Sequence, residues 1–244
     1  MSSPRFYCSS PLVAGERIRL PADVFHHAIR VRRLRAGSEL VLFGGNGSEA
    51  LARLLAVGRD MAEAEIIAVA AVDRESPLAI TLLQGISAGD RMDYTLQKAV
   101  ELGIDAIVPV VAERSIVRLS AERAEKRIAH WQQVVISACE QCGRNVIPSV
   151  APAVPLADAL AKHPSATATR YVLSVADGTR LRELPVPTGP IALLAGPEGG
   201  LTDAEEASSV SAGFVRLSLG PRVLRTETAA VAALAAMQAM WGNG

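Results

Sequence analysis

Two stretches of the sequence share a layout that could hold a small molecule: an apolar run of strand length, a glycine loop, then a helix start. The first is Ile191–Ala195, followed by Gly196-Pro197-Glu198-Gly199-Gly200 and Thr202. The second is Val215–Leu219, followed by Gly220-Pro221-Arg222-Val223-Leu224-Arg225-Thr226-Glu227. Loops leaving the carboxyl ends of neighbouring parallel strands face one crevice, where ligands bind, and glycines there let backbone amides approach a ligand closely. Either loop alone could be an ordinary tight turn. Two together, each carrying a charged residue, favour a site. Neither GxxxxGK[ST] nor GxGxxG occurs, which argues against ATP and NAD. A glycine-lined crevice without a phosphate motif suits S-adenosylmethionine, whose adenine and methionine parts backbone groups can hold.

The elements that must position these loops follow from patterning. After Pro77 the chain alternates apolar strands (Leu78–Gly85, Ala106–Val111, Tyr171–Val175, Ile191–Ala195, Val215–Leu219) with helices (Arg91–Leu102, about Ala121–Cys142, one from Thr202, and Thr226 or Glu227 to Trp241). That order predicts an α/β fold with a parallel sheet covered on both faces. Thr202 and Glu205 have capping-box spacing. The first 72 residues instead predict five short strands (Arg5–Cys8, Glu16–Leu20, Glu39–Phe43, Ala50–Val57, Ala64–Val72) and one helix near Pro21–Arg30, hence a small β-barrel. The polar run Asp73–Pro77 separates residues 1–72 from residues 77–244, and Val146–Pro155 reads as a connector.

Composition sets the outer limits. In 244 residues, 50% are apolar and 20% charged, which excludes disorder, collagen and coiled coil. Twenty-five basic residues balance 25 acidic ones, so any nucleic-acid binding must come from local patches. Only Lys98, Lys126 and Lys162 are lysines, and the other 22 of the 25 cations are arginines. Arginine favours bidentate recognition of phosphates and bases, although a GC-rich genome gives the same bias. Three cysteines make no disulfide framework, and no N-terminal apolar segment reads as a secretory signal. The longest apolar stretch, Thr228–Trp241, falls short of the roughly 18–20 residues of a membrane span. A cytoplasmic protein without a membrane partner is expected.

Other clusters have bland readings beside functional ones. Cys139 and Cys142 form one CxxC at a helix end, without the two further ligands a zinc site needs. His26 and His27 read as packing or capping, with RNA contact by His27 as the alternative. Arg30, Arg32, Arg33 and Arg35 put four cations in six residues, a solvated face or a phosphate contact. Lys98 and Glu101 are spaced as an intrahelical pair. Arg123, Lys126, Arg127 and Trp131 on the long helix could form a dimer face or plain surface.

Taken end to end, these residues resemble a known family. The matching segments are Arg5-Phe6-Tyr7, His27 with Arg30-Val31-Arg32-Arg33-Leu34, Gly85–Asp93, Gln97–Gly103, Glu113-Arg114-Ser115, Cys139–Arg144, Gly196–Leu201 and Leu219–Ala229. In them the chain resembles the 16S ribosomal RNA uracil-N3 methyltransferases (the RsmE family) of the knotted SPOUT class. One departure is Ala88, where that family often carries a basic residue. The resemblance implies a PUA-like RNA-binding barrel followed by a SPOUT domain with a C-terminal trefoil knot, an arrangement that sequence physics disfavours because knots are rare. It implies S-adenosylmethionine as cofactor, 16S rRNA of the small ribosomal subunit as partner, no metal, and a homodimer with its active site near the subunit interface.

The resemblance places cofactor contacts on Leu173, Gly196, Glu198, Gly199, Gly200, Leu217, Leu219, Gly220, Leu224 and Thr226. RNA contacts fall on Arg5, His27, Arg30, Arg32, Arg33 and Arg144. Methylating N3 of uracil requires loss of its proton, and negative charge then spreads onto the flanking carbonyls, so a fixed arginine there would stabilise the transition state. Arg225 and Arg114 are the candidates. Glu198 or Glu227 could take the proton, or either could hold a loop by accepting backbone N–H bonds. The alternatives to this activity are a non-catalytic RNA-binding assembly factor and a knotted methyltransferase of another nucleotide.

Overall fold

The computed structural model describes residues 3–115, 121–162, 168–175 and 178–243. The chain forms two compact units: Met1–Glu75 with Cys139–Ile147, and Ser76–Ala138 with Pro148–Gly244. A single cut at Asp73–Pro77 therefore leaves out Cys139–Ile147, which the structure assigns to the first unit.

The first unit is built on β1 (Arg5–Tyr7), β2 (Arg17–Arg19), β3 (Glu39–Phe43), β4 (Ser48–Val57) and β5 (Ala62–Ala71). Their order in the sheet is β1-β3-β4-β5-β2. Period-2 alternation puts Ala50, Ala52 and Leu54 of β4 inside, with Leu40 and Leu42 of β3 and Ala64 and Ile66 of β5. Register shifts at Leu51/Ala52 and Leu54/Ala56 are the bulges that bend such a sheet. The short helix α1 (Ala22–Phe25) continues as one π-helical turn, His26–Val31, and buries Val24, Phe25 and Ala28 against the same core.

Polar contacts bring Cys139–Ile147 into this unit. Arg5 Nη2 donates to Asn145 Oδ1 at 2.7 Å, Asn145 Nδ2 to Val72 O at 2.9 Å, and Tyr7 N–H to Glu140 Oε1 at 2.9 Å. Val146 bridges to Asn46. Glu49 receives Arg5 at 2.5 Å and Arg74 at 2.9 Å. The Arg74 guanidinium, opposed by burial and helped by Arg5 and Asn145, holds the Glu49 carboxyl down to about 2.

The second unit contains β6 (Ile80–Gly85), α2 (Asp90–Glu101), β7 (Ala106–Val111), most of α3 (Ala121–Cys142), β8 (Ser149–Val150), β9 (Val154–Pro155) and α4 (Leu156–Lys162). It continues with β10 (Thr169–Leu173), β11 (Thr179–Arg180), a 3₁₀ turn at Leu181–Glu183, β12 (Ile191–Ala195), α5 (Asp203–Ser211), β13 (Val215–Ser218) and α6 (Thr226–Trp241). The strands order as β11-β13-β10-β12-β6-β7-β8, with β9 also on β7, and each recorded pair is parallel.

Both faces of this sheet are covered. Leu83, Val110, Val172, Ala192 and Leu194 pack with Leu156, Ala159 and Leu160 of α4. The alternate residues Ile80, Leu82, Ile191 and Leu193 are equally buried, on the face where α6 meets β12 and Trp241 stacks on Tyr171. Gln238, the polar residue interrupting the Ala-rich helix, donates to Leu102 O at the end of α2 (2.8 Å) and accepts from Ser76 Oγ (2.9 Å). It satisfies a helix-terminal carbonyl that would otherwise be orphaned. The stretch read as a connector, Val146–Pro155, carries β8 and β9, and α4 follows it unforeseen. Segments this short and Pro-broken show no readable period.

Candidate active site

The strands β13, β10 and β12 are neighbours, so the loops leaving their carboxyl ends converge. They enclose a cavity of about 260 Å³. Its lining includes Leu173, Gly196, Glu198, Gly199, Gly200, Leu217, Leu219, Gly220, Leu224 and Thr226, together with Arg114, Ser174, Val175, Glu206, Arg222 and Val223. Apolar leucines and exposed backbone edges dominate, the surface that a nucleoside-bearing ligand without phosphates would meet.

Close packing fixes the Gly196 loop. A Cβ on Gly85, at the end of β6, would lie 2.4 Å from Pro197 N and 2.7 Å from Gly196 C, so only glycine lets the loop rest there. Thr226 Oγ1 donates to Gly196 O at 2.6 Å, which ties the start of α6 to the loop after β12. The buried Gln84 amide donates to Gly85 O at 3.0 Å and to Thr226 Oγ1 at 3.3 Å. Downstream, Thr202 and Glu205 form the expected capping box on α5, and Glu205 Oε1 also accepts from Glu113 N–H at 2.7 Å.

Glu198 accepts the Ala88 N–H at 2.7 Å and Arg91 Nη1 at 3.2 Å. Burial pushes its pKa up, but the N–H bonds from Ala88 and from its own backbone, with the Arg91 guanidinium, outweigh burial and lower it. A carboxylate held this way is a loop anchor and a weakened base. Its Oε2 is buried without a partner among the described residues, an acceptor beside the cavity for a bound group. Because the Glu198 contact uses the backbone of Ala88, the absence of a basic side chain there leaves it intact.

The arginines divide differently from the sequence expectation. Arg114 lines the cavity, and its Nη1 donates to Gly199 O at 3.1 Å and Leu201 O at 3.4 Å. Arg225 is exposed and is not part of the lining. Its backbone is extended (φ −65°, ψ 153°), so Leu224 and Thr226 turn toward the cavity while Arg225 turns away. Three polar lining residues, Ser174, Glu206 and Arg222, were not among the site residues named from the sequence. Glu206 of α5 accepts Ser174 Oγ at 2.8 Å and Arg216 Nε at 2.5 Å, and Arg222 sits in the β13–α6 loop. A carboxylate one helix turn beyond a capping box gives no local sequence cue that it faces a ligand. Glu227, in the first turn of α6, keeps Oε2 buried without a partner among the described residues. Lys98 and Glu101 form the intrahelical pair, at 2.7 Å.

In the first unit, His27, Arg30, Arg32, Arg33 and Arg35 are all exposed. Arg33 has φ 57°, the left-handed region, a strained state that clusters at functional sites. Arg30 donates to Arg59 O and lies over the Phe25 ring. Arg5 and Arg144, expected at RNA, are held within the unit instead. Arg5 binds Glu49 and Asn145, while Arg144 is 4% exposed and pairs with Glu75. Cys139 is buried at the end of α3, and burial, with the nearby Cys142, pushes its thiol up to about 12. The three cysteines are thiols. Among the described residues no group of three His, Cys, Asp or Glu could hold a metal, and no helix is long and apolar enough to cross a membrane. Of Arg123, Lys126, Arg127 and Trp131, read from the sequence as either a dimer face or plain surface, Trp131 is buried within the chain.

Comparison with known proteins defines the class first. Residues 74–238 match the RNA methyltransferase domain family and residues 20–67 the RNA methyltransferase PUA domain. A crystal structure of ribosomal RNA small subunit methyltransferase E from Neisseria gonorrhoeae, bound to S-adenosyl methionine, is 48% identical with a TM-score of 0.93, covering 99% of both chains. A methyltransferase of Legionella pneumophila with bound cofactor SAM is 38% identical with a TM-score of 0.95, again covering 99% of both chains. The ribosomal RNA small subunit methyltransferase E of Buchnera aphidicola subsp. Schizaphis graminum is 32% identical over 98% of this chain and 97% of its own. The chain belongs to the ribosomal RNA small subunit methyltransferase E family.

Proposed function

We propose that the protein transfers a methyl group from S-adenosylmethionine to N3 of a uridine in 16S rRNA of the small subunit. The observation that carries this reading is the cavity at the ends of β10, β12 and β13, in a chain 48% identical to a relative seen with S-adenosyl methionine. The residues fit that group: five leucines and glycine-edged backbone for the adenosine, and the orphaned Glu198 Oε2 as an acceptor beside the cavity. When bound, the cofactor supplies a methyl already activated by its sulfonium, so the chemistry requires no metal.

The protein's own groups position and neutralise. Arg91 and the Ala88 N–H fix Glu198, and Thr226 fixes Gly196, so the loop geometry is set before the RNA arrives. Such preorganisation is where positioning supplies rate. Arg114 donates to the glycine loop through one nitrogen, which leaves other guanidinium N–H groups for charge developing on a uracil carbonyl. Of the two carboxylates considered for the N3 proton, both keep an unpartnered Oε2 among the described residues, and Glu198 is in addition committed to the loop through Oε1. His27, Arg30, Arg32 and Arg33 are the proposed RNA contacts of the first unit, with that unit (residues 1–75 and 139–147) as the RNA-binding domain and the second (residues 76–138 and 148–244) as the methyltransferase domain. The reading also includes a cytoplasmic homodimer with its active site near the subunit interface. The strand order β13-β10-β12-β6 is consistent with a C-terminal trefoil.

Calorimetry with S-adenosylmethionine, followed by transfer of labelled methyl to 16S rRNA or small subunits lacking the modification, tests the reading. Binding and transfer are expected. RNA binding without cofactor binding would instead identify a non-catalytic assembly factor.

A further inference from the structure

The mouth of the cavity carries an unusual combination of side chains. Val175 and Val223 both line it, yet they are 77% and 80% exposed. Arg222 lies beside Val223, also lining the cavity and exposed. Gly220 has φ 103°, and Arg222 Nη2 comes within 3.9 Å of where a Cβ on Gly220 would lie. The turn thus folds the guanidinium back along the rim. Arg222 makes no hydrogen bond or ion pair among the described residues, whereas Arg114 is bound to the glycine loop and Arg216 to Glu206.

We infer that Arg222 binds a backbone phosphate of the RNA at the target nucleotide, and that Val175 and Val223 pack against the nucleoside as it enters. A free guanidinium is the group best shaped for bidentate contact with phosphate, and two uncovered aliphatic side chains offer a nucleoside face an apolar seat. Phosphate contacts of this kind set register without reading sequence. The cofactor also carries an anionic group, its carboxylate, but a clamp for a bound cofactor would be covered by the pocket, and Arg222 is open to solvent. The inference rests on the function proposed above.

The test compares the full-length parent with Arg222→Ala and Arg222→Lys, measuring three quantities: RNA affinity across salt concentrations, KM and kcat at saturating cofactor, and S-adenosylmethionine affinity without RNA. Thermal melting confirms folding. For Arg222→Ala, RNA affinity should fall and KM rise roughly ten- to a hundredfold, the loss of one charged hydrogen bond, with a salt slope smaller by roughly 0.7–0.9. Cofactor affinity should stay at the parent value, and lysine, which restores the charge but not the bidentate fork, should recover the salt slope and only part of the affinity. Cofactor affinity falling while RNA affinity holds would overturn the inference and assign Arg222 to the cofactor carboxylate. Unchanged RNA affinity and salt slope would overturn it outright. The parent's cofactor binding and methyl transfer test the function, and the variant-to-parent ratio of RNA affinity tests Arg222, so the two can fail separately.

Discussion

Replacing Gly85 by alanine adds one methyl group at the point where β6 supports the Gly196–Leu201 loop, the proposed cofactor loop. That carbon would sit 2.4 Å from Pro197 N, 2.6 Å from Pro197 Cδ and 2.7 Å from Gly196 C, against ordinary contacts that begin at 3.4 Å. The nearest gap must open by about 1 Å, and both sides of it are backbone rather than a flexible side-chain end. Overpacking of this kind costs roughly 1–3 kcal/mol, and at about 2–4 °C per kcal/mol for a unit of this size the melting temperature should drop by roughly 2–12 °C. The displaced loop carries Gly196, whose carbonyl accepts from Thr226. Loss of that alignment should weaken cofactor binding about tenfold or more, and kcat should fall on the order of a hundredfold for a 1 Å misplacement. Thermal melting, calorimetry and a methyl-transfer assay of Gly85→Ala measure the three effects, with Gly44→Ala as control because its added Cβ would meet nothing nearer than 3.7 Å. A Gly85→Ala variant that binds the cofactor like the parent would refute the argument that this close approach builds the pocket.

Three further outcomes are expected. Glu198→Gln keeps an oxygen for the Ala88 N–H but loses the charge facing Arg91, so cofactor affinity should fall only about two- to tenfold. A kcat loss of roughly 10²–10⁴ would show instead that Glu198 takes the proton. Glu49 has its carboxyl lowered to about 2 from 4.5, so its ion pairs stabilise the fold above pH 4.5 and that stability is lost as pH falls toward 2. With solvent screening on the exposed Arg74 side, the contribution is about 1–3 kcal/mol. Glu49→Gln should lower stability at pH 7 by that amount and flatten its acid dependence, read from urea melts between pH 2 and 7. An Arg32→Ala, Arg33→Ala double variant should reduce the salt slope of RNA binding by roughly 0.7–0.9 per cation; a slope equal to the parent's would make the cluster plain surface.

The local parts of this structure were legible because local chemistry writes them. Period-2 and fully apolar runs located Glu39–Phe43, Ala106–Val111 and Ile191–Ala195, and the Thr202–Glu205 spacing located the start of α5. The residues expected at the cofactor all lie along one cavity because parallel strands deliver their carboxyl-end loops to the same edge. What stayed hidden depends on contacts distant in sequence. Arg5 and Arg144 read as cations for RNA, and only the fold brings Glu49, Asn145 and Glu75 to them. The same long-range contacts carry Cys139–Ile147 into the first unit. Arg225 and Arg222 are three residues apart in one loop, and which of them faces the cavity turns on backbone angles that no spacing rule records. Glu206 enters the lining through Ser174 and Arg216, neither adjacent in sequence.

The central claim is methyl transfer to uridine N3, and the most direct measurement is mass spectrometry of nucleosides from 16S rRNA incubated with the purified protein and isotopically labelled S-adenosylmethionine. The account predicts label in 3-methyluridine at a single position of the small-subunit RNA, and its absence when cofactor is omitted. Label appearing in a different methylated nucleoside, or no label despite cofactor and RNA binding, would contradict it.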